Sequence, residues 1–400
     1  MIEKIHIKNF LGIYDTTVEL GRLTVLFGEP GLGKSTVGRA LGFLSACAGG
    51  MTLSEASETW CYGRRDPFLD GVGGGLALDL TLADVNSPRL IEHHLAAYYT
   101  GGDNPELLVA DESLDDGSDD GFTSSPVEDP IEQSSDEHVL RVRLKRGGRY
   151  RRPGPATDLD RRRSALAQRT LLSRKRKESG YLCDDTVELL QGFQLADHDL
   201  NALRERSDED DGGLDLRGYG LDGLLRGFDK LDRSQREEAR RWLRRIARVD
   251  EDPGSLEPTT APAAALRTLA LWAVLRSAET DHIVFIENIE RDLHPAGIAP
   301  LLQEMQCIMD EVDFQVIATS NSPALIDALQ DERKMDEVPD LLDRAVILHR
   351  YPGSPGGHAR ALGDLPGIED ELLTRKPSEL LSSGWLEDVA IAIDPRTKSV

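Results

Sequence analysis

The sequence predicts an α/β protein with a mixed sheet, an antiparallel N-terminal lobe and a largely helical insertion. Three observations lead there. Two alternating segments near the start, "KIHIKNFLGI" and "TTVEL", read as an antiparallel pair of strands. The apolar run "LTVLFG" at 23–28 then leads directly into a glycine-rich turn and a stretch with helical spacing. A second apolar, β-branched run, "IVFIENIERDLHP" at 283–295, ends in charged residues as a strand entering a polar site would. For the two apolar runs to share one sheet, the first and last thirds of the chain must meet. Ligands of such sheets sit beyond the carboxyl ends of the strands.

Bulk properties narrow the class. Four hundred residues accommodate two or three domains, or one domain with insertions. The balance of 39% hydrophobic to 30% charged residues is that of a globular chain. "TLALWAVL" (268–275) is too short to span a membrane and is bounded by Arg267 and Arg276. The opening "MIEKIHIKNF" lacks the charged lead and apolar core of a signal peptide. Cys47, Cys61, Cys183 and Cys307 are scattered without metal-ligand spacing, which predicts reduced thiols and a cytoplasmic location. A net charge of −24 excludes a protein that coats nucleic acid with its whole surface.

The glycine-rich turn, "GEPGLGKST", fits G-x-x-x-x-G-K-[ST] through Gly28, Gly33, Lys34 and Ser35. This order suits a triphosphate. Glycines let the backbone curl so that its N–H groups point inward, and the helix N-terminus adds a positive dipole end. The cradle comprises Gly28, Glu29, Pro30, Gly31, Leu32, Gly33, Lys34, Ser35 and Thr36. Lys34 can bridge the β- and γ-phosphates, and the Ser35 hydroxyl can ligate Mg²⁺. The chain is therefore expected to bind ATP with Mg²⁺.

Between the two ends, residues 51–254 read as an insertion into a core made of 1–50 and 255–400. "LALDLTL" (76–82) and "HVLRVRL" (138–144) alternate as strands that join the core. Residues 101–137 hold 13 acidic residues and no Lys or Arg, which predicts a mobile acidic loop between those strands. Residues 141–177 hold 15 basic residues against Asp158 and Asp160, with a strand-like start and a helical "RRRSALAQRTLLSRKRK". The two blocks are either a phosphate-binding surface shielded by an acidic mimic, or solvated faces that neutralise each other. "SDEDDGG" (207–213) reads as a loop. Within a helical region at 181–250, "RSQREEARRWLRRIARV" (233–249) places Ala239, Trp242, Leu243 and Ile246 on one face. Its arginines, 240–248 among them, serve a packed helix or a nucleic-acid or partner surface.

These segments together resemble the ABC-type ATPases of the RecF, SMC and OLD group. The likeness runs over the opening strands with Asn9 and Phe10, the P-loop, the helix "ALRTLALWAVLRSA", the Walker B-like "HIVFIENIERDLHP", the switch-like "FQVIATSNSPALIDAL", and the tail. It covers roughly residues 1–47 and 260–390 and leaves the middle unaligned. The resemblance implies that Glu287 takes the place of the acid that holds Mg²⁺, so that Ser35 and Glu287 form the metal pair. It also shows where this chain departs from the group. Asn288 stands at the position of the carboxylate that activates water, and an amide cannot accept that proton. Asn321 stands in place of a histidine that meets the γ-phosphate. "APAAALR" (261–267), with Pro262 and Ala264, lacks the Ser and Gly of the signature loop. Two alternatives stay open. Glu290 reaches the water instead, or the register slips so that Glu287 is the base and Ile286 takes the metal position.

The resemblance and departures point to an ATP-binding regulatory subunit with weak intrinsic hydrolysis. It would work as a homo-oligomer or in a hetero-complex with a nuclease-type effector, in bacterial anti-phage defence or genome maintenance. The alternative is a turning-over RecF-like repair ATPase that binds duplex DNA through 141–177 and 240–248. A membrane-transporter motor fits poorly, because no signature loop or glutamine loop is legible.

Overall fold

The computed structural model describes the chain except for residues 70–73, 84–88, 101–104, 118–120, 127–137, 145–155, 174–180, 207–213, 216, 332–340 and 394–400. The chain opens with β1 (Ile2–Phe10) and β2 (Ile13–Glu19), followed by β3 (Leu23–Phe27). Six more strands come before residue 161: β4 (Leu76–Ala83), β5 (Leu90–Tyr99), β6 (Leu107–Asp115), β7 (Gly121–Pro126), β8 (Val139–Leu144) and β9 (Ala156–Asp160). The remainder are β10 (Phe193–Ala196), β11 (Ile283–Ile286), β12 (Gln315–Thr319), β13 (Ala345–His349) and β14 (His358–Ala361).

They form two sheets. The first is eight-stranded and antiparallel, in the order β2-β1-β4-β5-β6-β7-β8-β9. The second runs β10-β11-β12-β3-β13-β14 and is parallel except for the terminal β13–β14 pair. Its central strands, β11, β12, β3 and β13, are buried at every residue, as expected of parallel strands covered on both faces. The helix Lys34–Ala48 lies between the sheets. Val37, Leu41, Phe43 and Leu44 of this helix pack with Ile5, Ile7, Leu78 and Leu95 of the first sheet and Phe285 and Ile317 of the second. The second sheet's other face carries the helices Ala263–Ser277 and Pro295–Glu311 and the segment around Trp242.

The acidic block departs from the expected loop. Residues 107–115 and 121–126 are β6 and β7, in the interior of the first sheet, and β5 lies before them. The reason is apolar spacing inside the acidic run. Leu107, Leu108, Val109, Leu114 and Phe122 are all fully buried. One acidic residue is structural: Glu112, also fully buried, accepts hydrogen bonds from Ser164 Oγ at 2.7 Å and Ala165 N at 2.5 Å. Residues 101–104, 118–120 and 127–137 of that block lie outside the described residues, as does 207–213. Of the basic block, Arg141 pairs with Asp158 at 2.9 Å across β8 and β9. The expected long helix is confined, among the described residues, to Arg169–Ser173.

The helix Arg233–Trp242 begins with a capping box at Asp232 and continues as a π-turn over Leu243–Ala247. Ala239, Trp242, Leu243 and Ile246 are fully buried. Its arginines face partners in the same chain: Arg240 meets Asp252, while Arg241 and Arg245 converge on buried Glu304. On the open face of the eight-stranded sheet, Asp15, His6, Asp79, His94 and Asp111 join across β2, β1, β4, β5 and β6. His6 lies 2.9 Å from Asp15 and 2.6 Å from Asp79. His94 bonds the other Asp79 oxygen and lies 2.9 Å from Asp111. Cys47, Cys61 and Cys183 are buried thiols and Cys307 an exposed one. Among the described residues no helix is long and apolar enough to cross a membrane.

Candidate functional site

The glycine-rich turn bridges β3 and the helix Lys34–Ala48. Gly28, Gly31 and Gly33 adopt φ of 138°, 84° and 97°, a region that a side chain disfavours. At two of them space is also excluded. A Cβ on Gly28 would stand 2.5 Å from the Leu348 carbonyl oxygen, and one on Gly33 2.8 Å from Ile13 Cγ1. Glu29 and Pro30 are exposed at the crest of the turn, whereas Leu32 points inward. Lys34 is buried and its Nζ donates to the carbonyls of Gly28 at 2.5 Å and Glu29 at 2.9 Å. Burial lowers its pKa, and the nearby Glu287 carboxylate opposes that shift.

Across the site, β11 ends at Ile286 and delivers Glu287 to the same point. Ser35 Oγ donates to Glu287 Oε2 at 2.9 Å, joining residues 252 apart in sequence. Thr319 Oγ1, at the end of β12, donates to the same oxygen at 3.0 Å. Thr319 Oγ1 in turn accepts from the backbone N–H of Asn288 at 2.8 Å. Glu287 is almost fully buried, which raises its pKa against the lowering effect of Ser35 and Thr319. Two hydroxyls and a carboxylate offer only oxygen donors, the set that suits a hard divalent cation such as Mg²⁺. The side chain that would ligate the cation from the cradle and the one from β11 already touch.

Asn288 has φ of 45°, a left-handed conformation that Asn adopts more readily than most residues. Asn288, Thr319 and Asn321 line one cleft of about 550 Å³ together with Gly31, Lys34 and Ser35. Glu290 stands beside it: its Oε1 accepts from the Asn321 backbone N–H at 3.0 Å, and its Oε2 is buried without a hydrogen-bond partner. Pro262 occupies the N-cap of the helix Ala263–Ser277 and provides no side-chain cap.

Two groups escaped sequence reading. Arg267, fully buried in that helix, donates to the carbonyls of His198 at 3.1 Å, Glu287 at 2.7 Å and Asn288 at 3.3 Å. It thus holds the end of β11 from behind. Burial pushes its pKa down to about 10. Its charge inside "ALRTLALWAVL" is the signal that was available, since a buried arginine needs acceptors. Next to it, burial and the positive charges of Arg267 and Arg291 push His198 down to about 3. The second group is Asp197, at the end of β10, which holds Arg39 at 3.1 Å and Arg291 at 3.6 Å. Four-residue β10 is too short to show a period.

With this geometry in place, comparison with known proteins decides the family. Residues 23–327 match the model of a family described as "AAA domain, putative AbiEii toxin, Type IV TA system". The chain belongs to this family. The matched span of the AAA domain runs from the first residue of β3 past Asn321, so it includes the cradle, Glu287 and the switch-like segment. No curated protein matches the chain. Among solved structures, the SMC head bound to the C-winged helix domain of ScpA has 13% identity and a TM-score of 0.45, covering 90% of this chain and 97% of that one. The SMC head domain from Thermotoga maritima has 10% identity and a TM-score of 0.40, over 90% and 98% of the two chains.

Proposed function

We propose that this AAA-domain protein binds Mg·ATP and hydrolyses it slowly, acting as the nucleotide-dependent regulatory subunit of a complex whose effector is a separate, nuclease-type protein. One observation carries the reading: Ser35 Oγ and Glu287 Oε2 meet at 2.9 Å beside the cradle, while the residue next to Glu287 is an amide. The first half supports binding. Ser35, Glu287 and Thr319 would hold Mg²⁺, whose charge would offset that of the phosphates. Lys34 would leave the carbonyls of Gly28 and Glu29 for phosphate oxygens, and the N–H groups of 31–36 would take the remainder. The second half supports slow turnover, because general-base assistance contributes roughly 10²- to 10⁴-fold and Asn288 cannot supply it. The family description as a putative toxin of a type IV TA system supports a setting in bacterial defence.

A titration with a non-hydrolysable ATP analogue tests this reading. Mg²⁺-dependent binding is expected for the native chain and weakened binding for Lys34→Ala and Glu287→Gln. Binding that ignores both substitutions would sink it. A second reading has one observation in its favour: Glu290, with one oxygen on Asn321 N and the other unpartnered, would serve as the base. Glu290→Gln would then abolish phosphate release that Asn288→Ala leaves intact. The RecF-like reading, with direct duplex binding through 141–177 and 240–248, gains no support in the second segment, where Arg240, Arg241 and Arg245 are held by Asp252 and Glu304.

A further inference from the structure

We infer that His358 is a positioning residue for the phosphate cradle and acts as an imidazolium, so that nucleotide binding is linked to the uptake of a proton. The inference rests on the nucleotide reading above and adds a means of regulating that site.

The turn that joins β13 to β14 braces the cradle. At its start Arg350 donates to the Gly31 carbonyl at 3.2 Å. At its end Gly357 N donates to the Gly12 carbonyl at 3.0 Å, and Ile13 and Gly357 form an isolated parallel bridge. Both partners in that bridge touch the P-loop. A Cβ on Gly357 would overlap the Leu32 carbonyl oxygen, and Ile13 closes on Gly33 in the same way. The N–H groups of Leu32 and Gly33 belong to the set that would take phosphate, so whatever fixes Gly356 and Gly357 also fixes the aim of the cradle.

His358, 1% exposed, does the fixing. Its Nδ1 lies 3.0 Å from the Asp15 carbonyl oxygen on β2 and its Nε2 2.8 Å from Ser354 Oγ. A carbonyl only accepts, so Nδ1 carries a hydrogen. The Ser354 hydroxyl then has two claimants for one hydrogen. It lies 2.8 Å from the carbonyl oxygen of buried Gly356, which accepts only, and a neutral ring would need Nε2 to accept as well. With His358 neutral, one of these two contacts has no hydrogen. With His358 protonated, Nε2–H donates to Ser354 Oγ, the hydroxyl donates to Gly356, and both contacts are made. Burying the charge is costly, and the two oxygen acceptors offset that cost. The titratable and charged groups around the ring are Tyr14 and Asp15 on β2, His349 and Tyr351 from the β13 side, Arg350, and Arg360 on β14. The Asp15 carboxylate is engaged by His6, Tyr351 stacks on the ring at 4.6 Å and His349 lies 6.0 Å from it. Leu32, the P-loop residue at this turn, carries no charge.

The test titrates a non-hydrolysable ATP analogue with Mg²⁺ into the full chain from about pH 5 to about pH 8.5, for the native protein, Ser354→Ala and His358→Gln. The ligand's own ionisation cancels in the ratio of native to variant affinity at each pH. Native affinity should exceed that of Ser354→Ala by about three- to tenfold at the acid end, the worth of one hydrogen bond to a buried group, and the ratio should fall toward one at the alkaline end. His358→Gln should give the same profile as Ser354→Ala. The His6→Asn/His94→Asn double variant should keep the native profile, which separates His358 from the histidines of the open sheet face. A ratio that stays constant with pH overturns the inference, and so does a native profile in His358→Gln. Failure of the native chain to bind the analogue at any pH would instead overturn the nucleotide reading itself, and this inference with it.

Discussion

Asn288→Glu places a carboxylate where the native chain has an amide, and the structure sets both its gain and its cost. Residue 288 lines the cleft with Lys34, Ser35 and Thr319, so a glutamate there faces the position of an attacking water. A general base lowers the barrier by about 3–5 kcal/mol, which is about 10²- to 10⁴-fold in rate. Two features reduce that gain. The backbone at 288 has φ of 45°, and a residue other than Asn or Gly pays about 1–2 kcal/mol there. The new carboxylate also lies beside Glu287, whose pKa burial already raises, with Asp197 adding to the shift. The expected result is phosphate release at the lower end of the range, about 10²-fold faster than native, with stability reduced by about 1 kcal/mol. Asn288→Gln controls for strain, since it carries the same backbone burden and no base. Phosphate release is measured at saturating Mg·ATP, alongside analogue binding and thermal unfolding. If Asn288→Glu binds the analogue yet releases phosphate no faster than Asn288→Gln, the assignment of position 288 is wrong.

Three further outcomes follow from particular contacts. Gly28→Ala drives a Cβ to within 2.5 Å of the Leu348 carbonyl oxygen at φ of 138°; it should cost about 2 kcal/mol or more in denaturant unfolding and abolish analogue binding. Arg267→Met leaves the carbonyls of His198, Glu287 and Asn288 without their donor. It should destabilise by about 2–4 kcal/mol and weaken Mg²⁺-dependent binding, and a loss below about 0.5 kcal/mol would remove the role assigned to this arginine. For the Asp–His chain on the open sheet face, the sign depends on the group. Hydrogen bonds to Asp79 raise the pKa values of His6 and His94 above 6.5. Their contribution is complete below the unfolded value and is lost as pH rises through the folded one. Against an opposing burial effect, His6 and His94 hold the Asp79 carboxyl well below its usual range, so its contribution disappears only in strong acid. Unfolding measured from pH 6 to 9 should decline in the native chain and flatten in a His6→Asn/His94→Asn double variant. Parallel curves would show that the histidines do not set the slope.

The legibility of this chain depended on how long each pattern runs. β3 and β11 are apolar strands that lead into chemically distinctive residues, and the structure brings Ser35 and Glu287 together. The Trp242 face was legible because one helical period repeats over enough residues to define it. The acidic block reads as a loop when its charge is averaged over the whole segment, and only the apolar residues within it, Leu107, Leu108, Val109, Leu114 and Phe122, distinguish a strand pair from a loop. β5 was missed for a related reason: His93 interrupts an apolar series of Ile91, Leu95 and Ala97, yet it is buried against Glu112. Arg267 is half legible: its charge inside an apolar helix signals a need for acceptors, but the acceptors themselves, the carbonyls of His198 and Glu287, come from long-range proximity that no local spacing encodes.

The placement of β3 has a consequence for biosynthesis. Both of its partners, β12 and β13, are drawn from residues 315–349. A ribosome adding about 5–20 residues per second reaches them roughly 15–60 seconds after β3 has emerged. For that interval a strand buried at every residue in the finished fold, already carrying the glycine turn, has neither of its neighbours. The nascent protein therefore needs shelter for this buried strand until β12 and β13 have been made, and a message truncated before β12 would yield a chain unable to assemble any part of this sheet around it.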